Sequence, residues 1–592
     1  MKARRPAGYT RQQSCCRIDR IRPTVFHPGE GNVMRMTGIR GLLAILAEAG
    51  VPYIFGNPGT TELPLNDALL DEPRLEYIMT LQEIPAVAIA DGFAQASRIP
   101  GVVNLHISCG LGNAMGMLYN AFRGNVPLVL TAGQQDQRMM FEEPILWGEM
   151  VEVTRPWTKW SAEVRRAEDV PSAVRRAIKT ALTPPTGPVF LSLPLDVQTA
   201  EAELDTHPPH IPDTRVRPPL EAVERAARVL AEAKSPAVLV GSRVQEAGAV
   251  DSLVALVEKL GTPVLVENAT THGRSAFPCD HDLFGGYLPF WSPQIREQLE
   301  PYDVLLVVGM KLFQQYIYHE PGPMPEHVRI VQLDDDPWEL EKNHRIEVGV
   351  LGHPAESMDA LFAALDRYST DETEERASAR RREWASHNAK RREKLRRDAE
   401  ARMDARPMEP PAVMETLARI LPSDVAVVEE SPTTTGAYLE RSGALPNTSG
   451  YFAHRGWALG WGLNCAIGVK LAWPERPVLA VLGDGSALYG IQGLWTAARY
   501  RIPTVFVVTN NRQYKILKDC SRVLQLPHAW RDEYVALDLD TPEIDFVGLA
   551  RAFGVRAERA ESPDTLADMV RSGWTSEEPL LIEVPVRPAN WD

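Results

Sequence analysis

Two short loops in the last third of the chain carry residue types that hold a metal ion and a phosphate together. The apolar run 478–482 ends in Gly483-Asp484-Gly485-Ser486, and the run 504–508 ends in Thr509-Asn510-Asn511. A helical stretch around residues 494–500 separates them. A right-handed crossover of this kind puts both strand ends on one edge of a parallel sheet. That is the edge where open α/β sheets bind ligands. Asp484 offers a carboxylate and Asn511 an amide oxygen, and Mg²⁺ is typically held by one or two carboxylates plus phosphate and water oxygens. Gly483 and Gly485 let the backbone come close to a phosphate, and the helix that follows aims N–H groups at it. Gly-Asp-Gly alone is a common strand-ending turn. Joined to Asn-Asn after a second strand, it becomes specific.

Three further residues have chemical potential nearer the amino terminus. Glu83 stands at the mouth of a nearly apolar helix covering residues 84–96. Taken alone, it reads equally well as a first-turn partner of the helix dipole. His106 ends the strand 101–106, where a lone histidine is more often structural. Cys109, between Ser108 and Gly110, reads as a small loop residue rather than a nucleophile. The other cysteines are Cys15, Cys16, Cys279, Cys465 and Cys520, with no C-x-x-C pair. Such usage fits reduced thiols of a cytoplasmic protein.

The elements that must position these residues follow a single rhythm. Short apolar runs at 51–55, 101–106, 127–131 and 189–193 alternate with helical patterns, as do runs at 237–241, 263–266, 304–309 and 329–334. The third set lies at 425–428, 478–482, 504–508 and 580–584. Strands alternating with helices imply parallel βαβ units. The expected fold is α/β, with three doubly wound parallel-sheet domains at residues 37–205, 220–368 and 410–592. A proline-rich linker falls between the first two, and a charged linker helix is expected at 369–409. No G-x-G-x-x-G follows a strand of the middle set, so no dinucleotide site is expected there.

Composition excludes other classes. The 592 residues include 44% hydrophobic and 24% charged types, an ordinary globular balance. No apolar run reaches the ~18 residues of a membrane span. The 63 basic and 78 acidic residues give a net charge of −15, which argues against nucleic acid as a partner. Residues 1–36 differ: they are Arg-rich, poor in acids and without an apolar signal region, and are expected to form a disordered basic arm.

The Gly-Asp-Gly and Asn-Asn pair, with Glu83 ahead of its apolar helix, resembles the signature of the thiamine diphosphate-dependent decarboxylase and acetohydroxyacid synthase superfamily. The likeness runs over residues 37–590. Within the superfamily the chain is most similar to the benzoylformate decarboxylases, through Phe55-Gly56-Asn57-Pro58-Gly59-Thr60-Thr61-Glu62-Leu63-Pro64, Asn104-Leu105-His106, Gly112-Asn113-Ala114-Met115-Gly116, Thr131-Ala132-Gly133-Gln134-Gln135 and Leu494-Trp495-Thr496-Ala497-Ala498.

The resemblance implies thiamine diphosphate and Mg²⁺ as cofactors. Asp484, Asn511 and the backbone carbonyl of Gln513 would hold the metal. Pro432, Thr433, Gly483, Gly485, Ser486 and Tyr514 would lie along the diphosphate. Leu459 would be the apolar wedge that bends the cofactor, and the backbone at Trp457 would bond its aminopyrimidine. Glu83 would be the buried carboxyl that makes the aminopyrimidine basic. Thr60 would bind the substrate carboxylate and His106 would transfer protons. His319 is the candidate for a second active-site histidine, although its segment is about one residue longer than the family pattern. Ile516 and Cys520 replace a small and an aromatic residue in the pocket, which alters its shape.

The implied activity is decarboxylation of a bulky or aromatic 2-oxo acid to an aldehyde and CO₂. The alternatives are an acetolactate synthase-like carboligase and a catalytically silent cofactor-binding protein. The resemblance also implies a homodimer or homotetramer with the cofactor between chains.

Overall fold

The computed structural model describes residues 33–267 and 273–588. Most of the basic arm therefore lies outside the described residues, as do Cys15 and Cys16. The boundary expected at residue 36 falls inside an element. Val33–Thr37 is a strand, paired antiparallel with Glu201–Asp205. Its short pattern, Met34 and Met36 on either side of Arg35, merged in sequence with the Arg-rich arm.

Three six-stranded sheets follow, and every strand pairing within them is parallel. In space the amino-terminal sheet runs Glu76–Met79, Tyr53–Gly56, Gly101–Leu105, Leu128–Gln134, Val189–Pro194, Trp160–Glu163. The carboxy-terminal sheet runs Tyr451–Ala453, Ala426–Glu430, Val478–Gly483, Val505–Asn510, Leu580–Pro585, Arg556–Arg559. Numbered by their own chain order, both sheets read second, first, third, fourth, sixth, fifth. The central sheet differs: Phe284–Tyr287, Val264–Val266, Pro236–Val240, Val304–Val308, Arg329–Asp334, Val348–Leu351 read third, second, first, fourth, fifth, sixth.

Inner strands such as Gly101–Leu105 and Val304–Val308 are buried at every residue. This is why they read in sequence as continuous apolar runs rather than alternating ones. Phe284–Tyr287 and Val348–Leu351 escaped the sequence reading because they are short edge strands containing glycine.

The outer two domains are bolted together by a helix pair. Glu83–Ser97 lies against Trp461–Ala472 at a spacing set by two glycines. A Cβ on Gly468 would fall 1.9 Å from the Ile89 carbonyl oxygen, and one on Gly92 would fall 2.2 Å from that of Cys465. The Trp461 indole N–H donates to Asp91 Oδ1 at 2.9 Å. One core cluster accordingly contains Phe55 and Ile89 from the first domain with Ile467 and Phe506 from the third.

The expected linker helix spans Asp371–Glu400, opened by a Thr370/Thr373 capping box. It is less solvated than its charge implies. Arg380 donates to the Leu260 and Gly261 carbonyls, Arg391 to those of Phe284 and Gly285, and Arg392 to that of Cys279. Its arginines thereby clamp the central domain. No helix among the described residues is long and apolar enough to cross a membrane.

Candidate active site

The carboxyl edge of the third sheet brings the two loops together. Asp484 opens the short helix Asp484–Leu488 directly after the strand Val478–Gly483. Its Oδ2 accepts the Arg512 backbone N–H at 2.7 Å, which ties it to the loop after the neighbouring strand. Asn511 Oδ1 accepts the Gln513 N–H at 3.0 Å. Behind them, Thr509 donates to the Leu482 carbonyl at 2.9 Å, and its hydroxyl meets Ser431 Oγ at 2.8 Å. That lattice fixes the loop that begins at Ser431 relative to both strand ends. Gly485 is required by its neighbour: a Cβ there would lie 2.5 Å from the Tyr514 ring.

Asp484 is 4% exposed, burial raises its pKa above the ordinary value, and backbone N–H groups oppose that rise. No lysine or arginine among the described residues makes an ion pair with it. A buried carboxylate held by amides alone, beside an amide oxygen, is a donor set suited to a hard divalent cation with phosphate and water as its remaining ligands. The residues present therefore fit Mg²⁺ and a diphosphate. No cluster of three or more His, Cys, Asp or Glu suited to a metal occurs among the described residues. A softer, all-protein site has no support here.

A cavity of about 830 Å³ opens over this edge. Pro432, Thr433, Trp457, Leu459, Gly483, Asp484, Gly485, Ser486, Asn511, Gln513, Tyr514, Ile516 and Cys520 all line it. His319 does not. Its ring packs edge-on against Trp291 at 5.5 Å, and its Nε2 is buried without a hydrogen-bond partner. Tyr316 lines the cavity instead. The segment after Val304–Val308 thus presents a phenol to the cavity rather than the expected imidazole.

Glu83, His106 and Thr60 form a second cluster on the carboxyl edge of the first sheet, and none of them lines that cavity. Glu83 is 5% exposed at the first turn of its helix, whose amino end is capped by Gln82 Oε1 accepting the Ile84 N–H. Asn113 Nδ2 donates to Glu83 Oε2 at 3.0 Å. Gly110 lies between the Glu83 and His106 side chains: a Cβ there would stand 3.1 Å from Glu83 Oε1 and 3.3 Å from the His106 Cβ. Thr60 is exposed at the start of a short 3-10 turn.

Sequence reading missed what holds His106. Glu62, 1% exposed, takes His106 Nδ1 at 2.8 Å. It also accepts the Thr61 hydroxyl and the backbone N–H groups of Ile107 and Gly133. Ile107 sits at φ +35°, a strained value for a β-branched residue, gripped by that carboxylate. With a carboxylate on Nδ1, the ring is oriented so that Nε2 is the nitrogen left for chemistry. The signal was present, since Glu62 lies in the matched stretch 55–64, but nothing in that stretch pairs it with residue 106.

Two further cavity residues, His454 and Glu430, make contacts that the sequence does not show. His454 accepts the Trp457 N–H at 2.9 Å, and burial pushes its pKa down to about 4, so it stays neutral. Glu430 accepts the N–H groups of Trp461 and Gly462 at the start of their helix. Burial nevertheless raises its pKa to about 8 against those donors.

Three family models match the chain. The thiamine pyrophosphate enzyme N-terminal TPP binding domain covers residues 36–143, the central domain 223–361 and the C-terminal TPP binding domain 442–584. A benzoylformate decarboxylase of Pseudomonas aeruginosa is 35% identical over 550 residues, covering 92% of this chain and 97% of that protein. The large subunit of acetolactate synthase isozyme 3 of Escherichia coli is 27% identical, with 88% of this chain and 89% of that protein covered. The thiamine diphosphate-dependent 4-hydroxybenzoylformate decarboxylase of Rhodococcus jostii superposes with a TM-score of 0.81 at 29% identity, covering 94% of this chain and 100% of that one.

Proposed function

The chain belongs to the thiamine pyrophosphate enzyme family, and from that premise we propose that it decarboxylates a 2-oxo acid with a bulky or aromatic side chain, releasing CO₂ and an aldehyde. The observation that carries this reading is the pairing of Glu83 with a histidine held by its own carboxylate. Breaking the C1–C2 bond leaves a carbon that must gain a proton before the aldehyde departs. His106, oriented through Glu62, is the residue positioned to deliver it. A ligase that passes the same carbon to a second carbonyl has no such requirement.

Thiamine diphosphate, when bound, supplies the nucleophilic carbon and the electron sink that make the bond labile. In this reading Asp484, Asn511 and the Gln513 carbonyl hold Mg²⁺, while Pro432, Thr433, Gly483, Gly485, Ser486 and Tyr514 take the diphosphate. Leu459 and the Trp457 backbone shape and bond the organic part. Glu83, kept in place by Asn113, holds a proton at the pyrimidine ring. Thr60 orients the substrate carboxylate, and Ile516 and Cys520 bound the side-chain pocket.

The reading includes a homodimer as the smallest active unit, or a homotetramer built from it. Two features support this. The Glu83 cluster does not reach the same chain's cavity. The helix beside it exposes Cys109, Gly112, Asn113 and Gly116 along one face, and the same domain exposes the large apolar side chains of Leu63, Phe141 and Ile145.

Purified protein, supplied with thiamine diphosphate and Mg²⁺, should release aldehyde and CO₂ from aryl or bulky 2-oxo acids. Absence of thiamine-dependent release from every member of a 2-oxo acid panel would defeat the reading. Acetolactate or another 2-hydroxy ketone as the main product would favour the carboligase alternative, to which the Escherichia coli likeness points.

A further inference from the structure

Four partly exposed rings meet on one wall of the large cavity. Phe290 and Trp291 come from the loop after the central strand Phe284–Tyr287, Tyr316 from the segment after Val304–Val308, and Trp457 from the third domain. Phe290 and Trp457 lie nearly parallel, 13° apart with centroids at 5.5 Å. Tyr316 leans on Trp457 at 4.6 Å and on Phe290 at 5.5 Å. Trp291 meets Phe290 edge-on at 4.9 Å.

Trp457 holds this position at φ +61°, a left-handed conformation that side chains other than glycine seldom adopt. Its N–H is fixed to His454. Strain of this kind persists only where the surroundings enforce it, and it concentrates at ligand sites. The wall has little room to retreat, because the pocket behind it, lined by Glu267 and Lys311, measures about 40 Å³. On its open side the Tyr316 phenol is raised in pKa by burial and then by the Cys520 sulfur. The cavity is lined by the wall and by Ile516, Leu517 and Cys520, so the wall and the helix Lys515–Val523 face one space.

Resting on the decarboxylase reading, we propose that Trp457, Phe290 and Tyr316 are the specificity surface for the substrate side chain, and that it selects a flat aryl group bearing a polar substituent. The aryl ring packs against the Trp457, Phe290 and Tyr316 rings, a contact that favours aromatic over alkyl groups by roughly 2- to 12-fold per ring pair. The Tyr316 hydroxyl meets a hydroxyl on the ring's far edge. Sites that hydrogen-bond a substrate hydroxyl discriminate more strongly than those that only fill volume.

The test compares Phe290→Ala and Tyr316→Phe with the parent protein on benzoylformate, 4-hydroxybenzoylformate and 3-methyl-2-oxobutanoate, reading kcat and KM separately. Phe290→Ala should lower the aryl-to-alkyl ratio of kcat/KM about 10-fold, mainly through KM. Tyr316→Phe should lower the 4-hydroxybenzoylformate-to-benzoylformate ratio about 10-fold and leave the aryl-to-alkyl ratio within about twofold. Both ratios staying within about twofold of the parent in both variants would overturn the proposal. Binding of mandelate, followed by tryptophan fluorescence, separates this from failure of the decarboxylase reading. If the parent turns over none of the three acids, mandelate should still quench, and Phe290→Ala should weaken its binding about 10-fold. Equal binding by the two proteins would overturn the wall.

Discussion

The first and third sheets share one strand order and carry their candidate site residues on the same carboxyl edge, yet those edges hold opposite chemistry. The difference begins at the residue after the third strand of each. In the first sheet Leu105 gives way to His106 and then at once to the long helix Ile107–Arg123. In the third, Gly483 gives way to Asp484, a five-residue helix and a further turn before Gly493–Arg499. One edge thus carries protonatable side chains braced by a buried carboxylate. The other carries amides, glycines and the Asp484 carboxylate, for which we propose an anion and its metal. A common topology supplies the place, and the local loop supplies the reaction. The central sheet makes the same point from the other side: its strand order is the one often used for dinucleotides, yet it lacks the glycine-rich turn and contributes an aromatic wall instead.

The comparison breaks hardest at Glu83 and Asp484. Glu83→Gln should cut turnover by about a thousandfold while leaving affinity for Mg²⁺ and the diphosphate end nearly unchanged. Asp484→Asn should instead abolish saturation with the cofactor at ordinary Mg²⁺ concentrations, as read by calorimetry. If Glu83→Gln behaved like Asp484→Asn, the division of labour between the edges would fail.

Glu62 sharpens the first edge alone. Glu62→Gln removes the carboxylate that orients His106, so kcat should fall about 10- to 30-fold, with the pH profile of kcat displaced. An unchanged profile with lower expression would reduce Glu62 to a packing residue.

The smallest effect concerns the bolt between the two domains. Burial raises the Asp91 pKa to about 6, with the Trp461 and Gln95 hydrogen bonds opposing the rise. The folded protein therefore binds this proton more tightly than the unfolded chain, whose ordinary value is 3.8. Stability contributed here is complete below that value and is lost as pH rises through about 6. Asp91→Asn keeps an acceptor for the Trp461 indole and removes the loss. The unfolding free energy at pH 7.5 should rise by about 3 kcal/mol, with no gain at pH 4.

Much of the candidate site was legible because its residues are local. Gly-Asp-Gly and Asn-Asn each occupy one strand end, and a βαβ crossover fixes their common edge without knowledge of packing. Glu83 was visible as an acid ahead of an apolar helix. Glu62 and the Trp457 wall were not legible in the same way, since their meaning lies in partners dozens or hundreds of residues away. The loop length after Gly309 shows the limit plainly. Tyr316 lines the cavity and His319, three residues on, packs on Trp291 instead, a placement that counting along the chain does not resolve. The strand Val33–Thr37 was hidden for a compositional reason, because its arginine merged with the basic run before it.

In the proposed dimer the amino-terminal edge of one copy completes the carboxy-terminal edge of another. Mixing the inactive Glu83→Gln and Asp484→Asn proteins under conditions that exchange subunits tests it directly. In a mixed dimer one site carries both substitutions and the other carries neither. Random exchange should therefore restore about a quarter of the parent activity. No recovery, with mixed dimers demonstrated by mass, would place both edges of each site in a single chain and contradict the account.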